Sequence, residues 1–162
     1  MKFARLYLKA FGPFRDRVIE LPTGAGNDFH VIFGPNEAGK STILRAVTGF
    51  LFGIPERTGD AFLHDYNALR VGATLLLPDG SRSSAMRRKA RKVTLFAVDE
   101  TTGAEITERP LPESAASDLV GGLDLSLYQN LFGLDLNGLV AGSEELLRGE
   151  GEVGRSLFQA AA

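Results

Sequence analysis

Cysteine is absent, so neither a disulfide framework nor a thiolate metal site can be built from this chain. Histidine occurs only as His30 and His64, too few for a His-rich metal centre. No apolar run approaches the length of a membrane span, and the first residues enter strand-like sequence rather than a signal peptide. A net charge of -2 excludes wholesale electrostatic attraction to nucleic acid, while leaving room for a local basic patch. Heptads, internal repeats and low-complexity tracts are also missing. Together these absences fit a cytoplasmic protein with no membrane partner. With 162 residues, 44% hydrophobic and 23% charged, the chain is long enough to form one full-sized domain with its own core.

What is present centres on Gly34-Pro35-Asn36-Glu37-Ala38-Gly39-Lys40-Ser41-Thr42, which spells G-x-x-x-x-G-K-S, the phosphate-binding P-loop. Ahead of it, Phe29-His30-Val31-Ile32-Phe33 is a short apolar, β-branched run that predicts a buried strand. Behind it, Thr42 to Phe52 carries apolar residues at helical spacing, with Gly53 as a stop. The residue types suit the chemistry. Gly34 and Gly39 permit backbone angles and close approaches that a β-carbon obstructs. Successive N–H groups at a helix start form a concave nest for phosphate oxygens. Lys40 is placed to reach β- and γ-phosphates, Ser41 to offer its hydroxyl to Mg²⁺, and Thr42 to add a hydroxyl on the α-phosphate side.

The remaining pattern is mostly strands. Residues 2–9 and 17–21 predict two strands joined by the aromatic turn Phe11-Gly12-Pro13-Phe14. Leu69 to Leu77, Ser81 to Lys89, Val93 to Val98 and Ala104 to Thr107 predict a meander punctuated by Pro78-Asp79-Gly80 and Asp99-Glu100-Thr101-Thr102-Gly103. From Ser114 the pattern turns helical, with further short candidates at Glu144 to Arg148 and Val153 to Ala162.

This order of a first strand, an aromatic turn, a Val-Ile-Glu-Leu strand and then Phe-Gly-Pro-Asn-Glu-Ala-Gly-Lys-Ser-Thr resembles the N-terminal ATPase lobe of the SMC/RecF/SbcC superfamily. Within it the nearest likeness is the YhaN-like group of AAA-labelled ATPases. Leu51 to Pro55, Phe62-Leu63-His64-Asp65-Tyr66, Arg87-Arg88-Lys89, Phe132-Gly133-Leu134-Asp135 and Gly151 to Ala160 extend that likeness over essentially the whole chain. The resemblance implies an α/β, ABC-ATPase-like P-loop NTPase fold: an N-terminal lobe spanning 1–162, with an antiparallel β-meander and a C-terminal helical part. It implies ATP and Mg²⁺ as cofactors. It implies a C-terminal lobe of the same longer, coiled-coil protein as partner, and homodimerisation of heads around sandwiched ATP. It also implies work on duplex DNA, in repair or chromosome handling. Signature, Walker B and switch histidine are then expected in the second lobe.

Five further constellations are weighed against plainer readings. Leu95-Phe96-Ala97-Val98-Asp99-Glu100 has the form of a Walker B segment, in which Asp99 would hold Mg²⁺ and Glu100 would polarise water. A polar hairpin turn is the better reading, because Thr-Thr-Gly and a strand-like stretch follow. Leu119-Val120-Gly121-Gly122 echoes an ABC signature but has Val120 where serine belongs, and reads as a loop. By order in the resembled fold, Asp135 falls at the Q-loop position, a candidate catalytic and Mg²⁺ residue, with Gln129 as an outside alternative and a surface carboxylate as the bland one. Arg87, Arg88, Lys89, Arg91 and Lys92 form the one basic cluster, either a phosphate grip on DNA or a charged sheet edge. Arg15 or Arg17 would have to replace the nucleotide-approaching arginine that relatives carry in the first turn; a solvated strand-end arginine is the plainer reading. Two other functions stay open: a complete small P-loop NTPase or kinase using Asp99 and Glu100, and a nucleic-acid module with a vestigial P-loop.

Overall fold

The structure is a computed structural model that describes residues 1–132 and Val140. The chain divides into two compact units, Met1–Asp124 and Leu125–Ala162. The first contains strands β1 (Lys2–Phe11), β2 (Phe14–Glu20), β3 (Arg70–Leu76), β4 (Arg82–Arg88), β5 (Leu95–Asp99) and β6 (Ala104–Pro110), with helix α1 (Lys40–Phe52) inserted after β2. The described part of the second is chiefly helix α2 (Leu125–Leu131); Tyr128 in it and Phe132 just after it have ring centroids 5.7 Å apart.

The six strands form one sheet in the order β2-β1-β3-β4-β5-β6, and every neighbouring pair is antiparallel. Side chains directly opposite on neighbouring strands share a face. One such row runs Leu8, Val71, Arg87, Leu95, and it faces α1, because Arg87 Nε donates to the Phe50 carbonyl at 2.7 Å. Ile43, Ala46, Phe50 and Leu51 recur at helical spacing and are buried, and Phe3 meets Phe50 edge-on at 6.4 Å.

The adjacent row, Tyr7, Gly72, Met86, Phe96, points the other way. The sheet curls over this face. Arg5 of β1 donates to the Glu100 carbonyl in the β5–β6 turn at 3.1 Å, and Arg70 of β3 meets Glu105 of β6 at 3.1 Å, although neither β1 nor β3 is adjacent to β5 or β6 in the sheet. Tyr7, Met86 and Val98 are buried together beneath the curl. A polar chain crosses it: Tyr7 Oη to Thr74 Oγ1 at 2.9 Å, Thr74 Oγ1 to Ser84 Oγ at 2.8 Å, and Ser84 donating to Glu100 Oε1 at 2.7 Å. Each buried hydroxyl is thereby satisfied. Gly72 has no alternative here, since a β-carbon would lie 2.6 Å from the Ala85 carbonyl oxygen and 2.9 Å from the Met86 sulfur.

The expected strands all form, with ends moved by a few residues. The exception is the run 29–33. It is not a strand: Phe29 is 90% and Phe33 95% exposed, and the segment joins no ladder among the described residues. A strand of that composition needs partners on both edges and cover on both faces. The meander pairs only with itself and supplies neither. The helical pattern after Ser114 resolves into 3₁₀ turns at Glu113–Ala115 and Asp118–Val120 before α2.

Gly72→Ala is expected to cost about 2 kcal/mol by overpacking, read as a lower urea midpoint. A second expectation concerns acid. Partial burial raises the Glu113 pKa, but hydrogen bonds from Thr94 and the Arg87 guanidinium outweigh it, and the net shift is downward. A carboxylate depressed in the folded state stabilises above its unfolded pKa, and that contribution is lost as pH falls through the folded value. Glu113→Gln should therefore flatten the loss of stability below pH about 4.3, measured as melting temperature against pH.

Candidate nucleotide site

The P-loop follows an irregular stretch and runs into the first turn of α1 at Lys40. Gly39, at φ +90°, is the N-cap of α1, no side chain caps the first turn, and no acidic residue lies in it. The helix therefore presents free N–H groups and the positive end of its dipole at the loop. Glu37 holds a left-handed φ of +66°, a strained conformation for a residue with a side chain. Lys40 Nζ bridges the loop's own carbonyls, donating to Gly34 at 2.8 Å and Pro35 at 2.6 Å. The lysine thus holds the loop in shape while its charge remains on the exposed rim.

Two further segments meet at this point. Gly12, at φ +57°, lies in the β1–β2 turn, where a β-carbon would sit 2.5 Å from Thr42 Cγ2. A β-carbon on Gly39 would sit 2.6 Å from Phe14 Cζ, so the turn is wedged against the start of α1. The segment following α1 is pinned to both. Asp60 is 3% exposed, accepts from Arg45 Nε at 2.9 Å and Nη2 at 2.6 Å, and its carbonyl accepts from Gly12 N–H at 2.7 Å. Arg15 donates to the Leu63 carbonyl at 3.2 Å, which makes it an anchor of this segment. Arg17 is exposed on β2, opposite Leu8. The result is a cavity of about 580 Å³ lined by Asn36, Lys40, Ser41, Thr42, Pro13 and Phe62.

A family model described as an AAA domain matches residues 1–162. The chain belongs to this AAA-domain family. No curated protein matches it. Membership makes this an ATP-binding domain of ATPase type, and such domains usually bind nucleotide with Mg²⁺. The residues present fit that pair. The uncapped helix start and the glycine-lined loop suit phosphate, and Ser41 is exposed at the cavity. No cluster of three or more acidic or histidine side chains occurs among the described residues, so a Mg²⁺ ion would take Ser41, phosphate oxygens and water. Thr42 is the less available hydroxyl: it is buried and accepts from Arg45 Nη2 at 3.1 Å.

Elsewhere in the AAA domain the candidates separate. Asp99 Oδ1 accepts from the Thr101 and Thr102 N–H groups, both at 2.9 Å, and these bonds, Thr102's first, lower its pKa. It is the corner of the β5–β6 hairpin. Glu100 is engaged by Ser84 and approached by Arg82. Gly121 and Gly122 both have positive φ after a 3₁₀ turn, so Leu119 to Gly122 is a loop. Gln129 lies in α2 of the second unit, and Asp135 lies outside the described residues.

The basic cluster is not one surface. Arg87 is 3% exposed; besides Phe50, it donates to Thr94 Oγ1 at 2.7 Å and to Glu113 Oε2 at 2.9 Å. Burial lowers its pKa and Glu113 opposes the shift. Arg88 lies 4.1 Å over the Phe96 ring beside Glu105, and Lys89 donates to the Ile54 and Pro55 carbonyls behind α1. Alternation along β4 sends Arg87 to the helix side and Arg88 to the curled side, which sequence spacing concealed. Of the cluster, only Arg91 and Lys92 are exposed, in the β4–β5 connection.

The reading of the sequence assigned no role to Asp60 or Phe62. The pairing of Arg45 on α1 with an aspartate two residues after Thr58 was the available signal. Arg87→Ala should lower stability by about 2–4 kcal/mol, because it strips partners from Phe50, Thr94 and Glu113. An Arg91→Ala, Lys92→Ala double variant should shift stability by less than about 0.5 kcal/mol in the same urea titration.

Proposed function

We propose that this AAA domain is the N-terminal head lobe of an SMC/RecF-like ATPase, nearest to the YhaN-like group. In that reading it binds Mg·ATP at Gly34 to Thr42 and completes its fold and active site with a C-terminal lobe of the same protein. The observation that carries this reading is the exposed run 29–33. A strand-forming segment directly ahead of a P-loop, left without neighbours by its own sheet, has the composition of a core strand and lacks only strands on either side. A second lobe would supply them.

Within the site, Lys40 would leave the Gly34 and Pro35 carbonyls for the β- and γ-phosphates, and the N–H groups at the start of α1 would hold phosphate oxygens. Bound ATP and Mg²⁺ supply the phosphoryl group and the charge that orients it. The lobe's own residues bind and orient, Asp135 at the Q-loop position among them; the signature, Walker B and switch-histidine groups would come from the partner lobe. Two such heads sandwiching ATP would form the homodimer, and duplex DNA in repair or chromosome handling is the substrate that fits this architecture. Arg91 and Lys92 are the charges left for a phosphate backbone. The small-enzyme alternative is weaker, because Asp99 and Glu100 are already engaged in building a hairpin.

Calorimetry with Mg·ATP on this chain tests the reading. Lys40→Ala is expected to weaken binding by about ten- to a hundredfold, the loss of a charge-assisted contact. Asp99→Ala is expected to leave binding unchanged, and the chain alone should show negligible turnover. Robust turnover abolished by Asp99→Ala would overturn the head-lobe reading.

A further inference from the structure

We propose that Phe62 is the platform on which the nucleobase of the bound nucleoside triphosphate stacks. The inference rests on the nucleotide-site reading above and deepens it. P-loop residues account for a polyphosphate, but a nucleotide also carries a flat, largely apolar base that must lie against something. The cavity that contains Lys40 and Ser41 has just two apolar side chains outside the P-loop in its lining, Pro13 and Phe62.

Phe62 is 65% exposed. A single exposed aromatic is ordinary on a protein surface. This one differs in that the backbone on either side of it is held in place. Two residues before it, Asp60 is buried and fixed by Arg45, with its N–H also donating to Thr58 Oγ1 at 3.2 Å and its carbonyl taking the Gly12 N–H. One residue after it, the Leu63 carbonyl is held by Arg15, and His64 N–H closes the turn onto Ala61 at 2.9 Å. Those anchors, Gly12, Arg15 and Arg45, belong to the same hairpin turn and helix that frame the P-loop. With the backbone fixed on both sides, only the two side-chain torsions of Phe62 remain to be ordered on binding, a small cost for a stacking surface. Phe62 also makes no aromatic pair of its own among the described residues, and most of its surface is open to solvent.

The test compares Mg·ATP with Mg·tripolyphosphate, which has the phosphates and no base, by calorimetry on wild type, Phe62→Ala, Phe62→Trp and Lys40→Ala. Phe62→Ala is expected to weaken ATP binding about tenfold and leave tripolyphosphate unaffected, within the range measured for base stacking on an aromatic. Lys40→Ala should weaken both ligands. The chain contains no tryptophan, so Phe62→Trp introduces its only one, which can be excited selectively over the tyrosines. Its fluorescence should be quenched by ATP and not by tripolyphosphate, which decides the matter even if Phe62→Ala folds poorly. Equal loss of both ligands in Phe62→Ala, no loss of either, or an emission blind to ATP would overturn the stacking role while leaving the P-loop reading intact. Wild type that binds neither ligand would sink the nucleotide site itself and this proposal with it.

Discussion

The close approach of the β1–β2 turn to the start of α1 is the contact on which the site depends. Gly12 lies against Thr42 and Gly39 lies against Phe14 at separations that leave no room for a β-carbon at either glycine. Because each glycine backbone packs against a side chain of the other segment, the loop between Gly34 and Lys40 is held at one end by a hairpin whose β1 strand is paired with β3. The Asp60–Arg45 pair then draws the segment after α1 onto the same point. Three stretches distant in sequence thus become one rigid rim, without a metal or a covalent link.

Rigidity at the rim contrasts with what precedes it. The sheet curls so that β6 and the β5–β6 turn cover Tyr7 and Met86, and it thereby satisfies its own far face. Having closed on itself there, it extends no strand toward residues 29–33. Exposure of Phe29 and Phe33 follows from that topology rather than from weak strand propensity. The same chain therefore holds a finished layer, made by the meander and α1, and an apolar segment suited to a second layer.

Charge is distributed by the same logic. Arginine and lysine side chains that look like a patch along β4 are used to join layers: Arg87 ties the sheet to α1 and to Glu113, Arg88 joins β4 to β6, and Lys89 holds the loop after α1. At the cavity, Lys40 and the uncapped helix start supply the positive charge that favours an anion.

The sequence by itself determined the local elements. Period-two alternation specified the meander strands, Gly-x-x-x-x-Gly-Lys-Ser and the apolar spacing behind it specified loop and helix, and Asp99-Glu100-Thr-Thr-Gly already read as a hairpin corner; each of these signals is contained in neighbouring residues. Tertiary structure alone decided the rest. Whether 29–33 became a buried strand depended on partners that no local pattern encodes. Whether Arg87 faced DNA or α1 depended on which side of the sheet the helix packs. Asp60 and Phe62 acquired their places only when Gly12, Arg15 and Arg45 were brought to them. Pairing and burial are properties of residues distant in the chain, and their energies appear only once the backbone has been folded into contact.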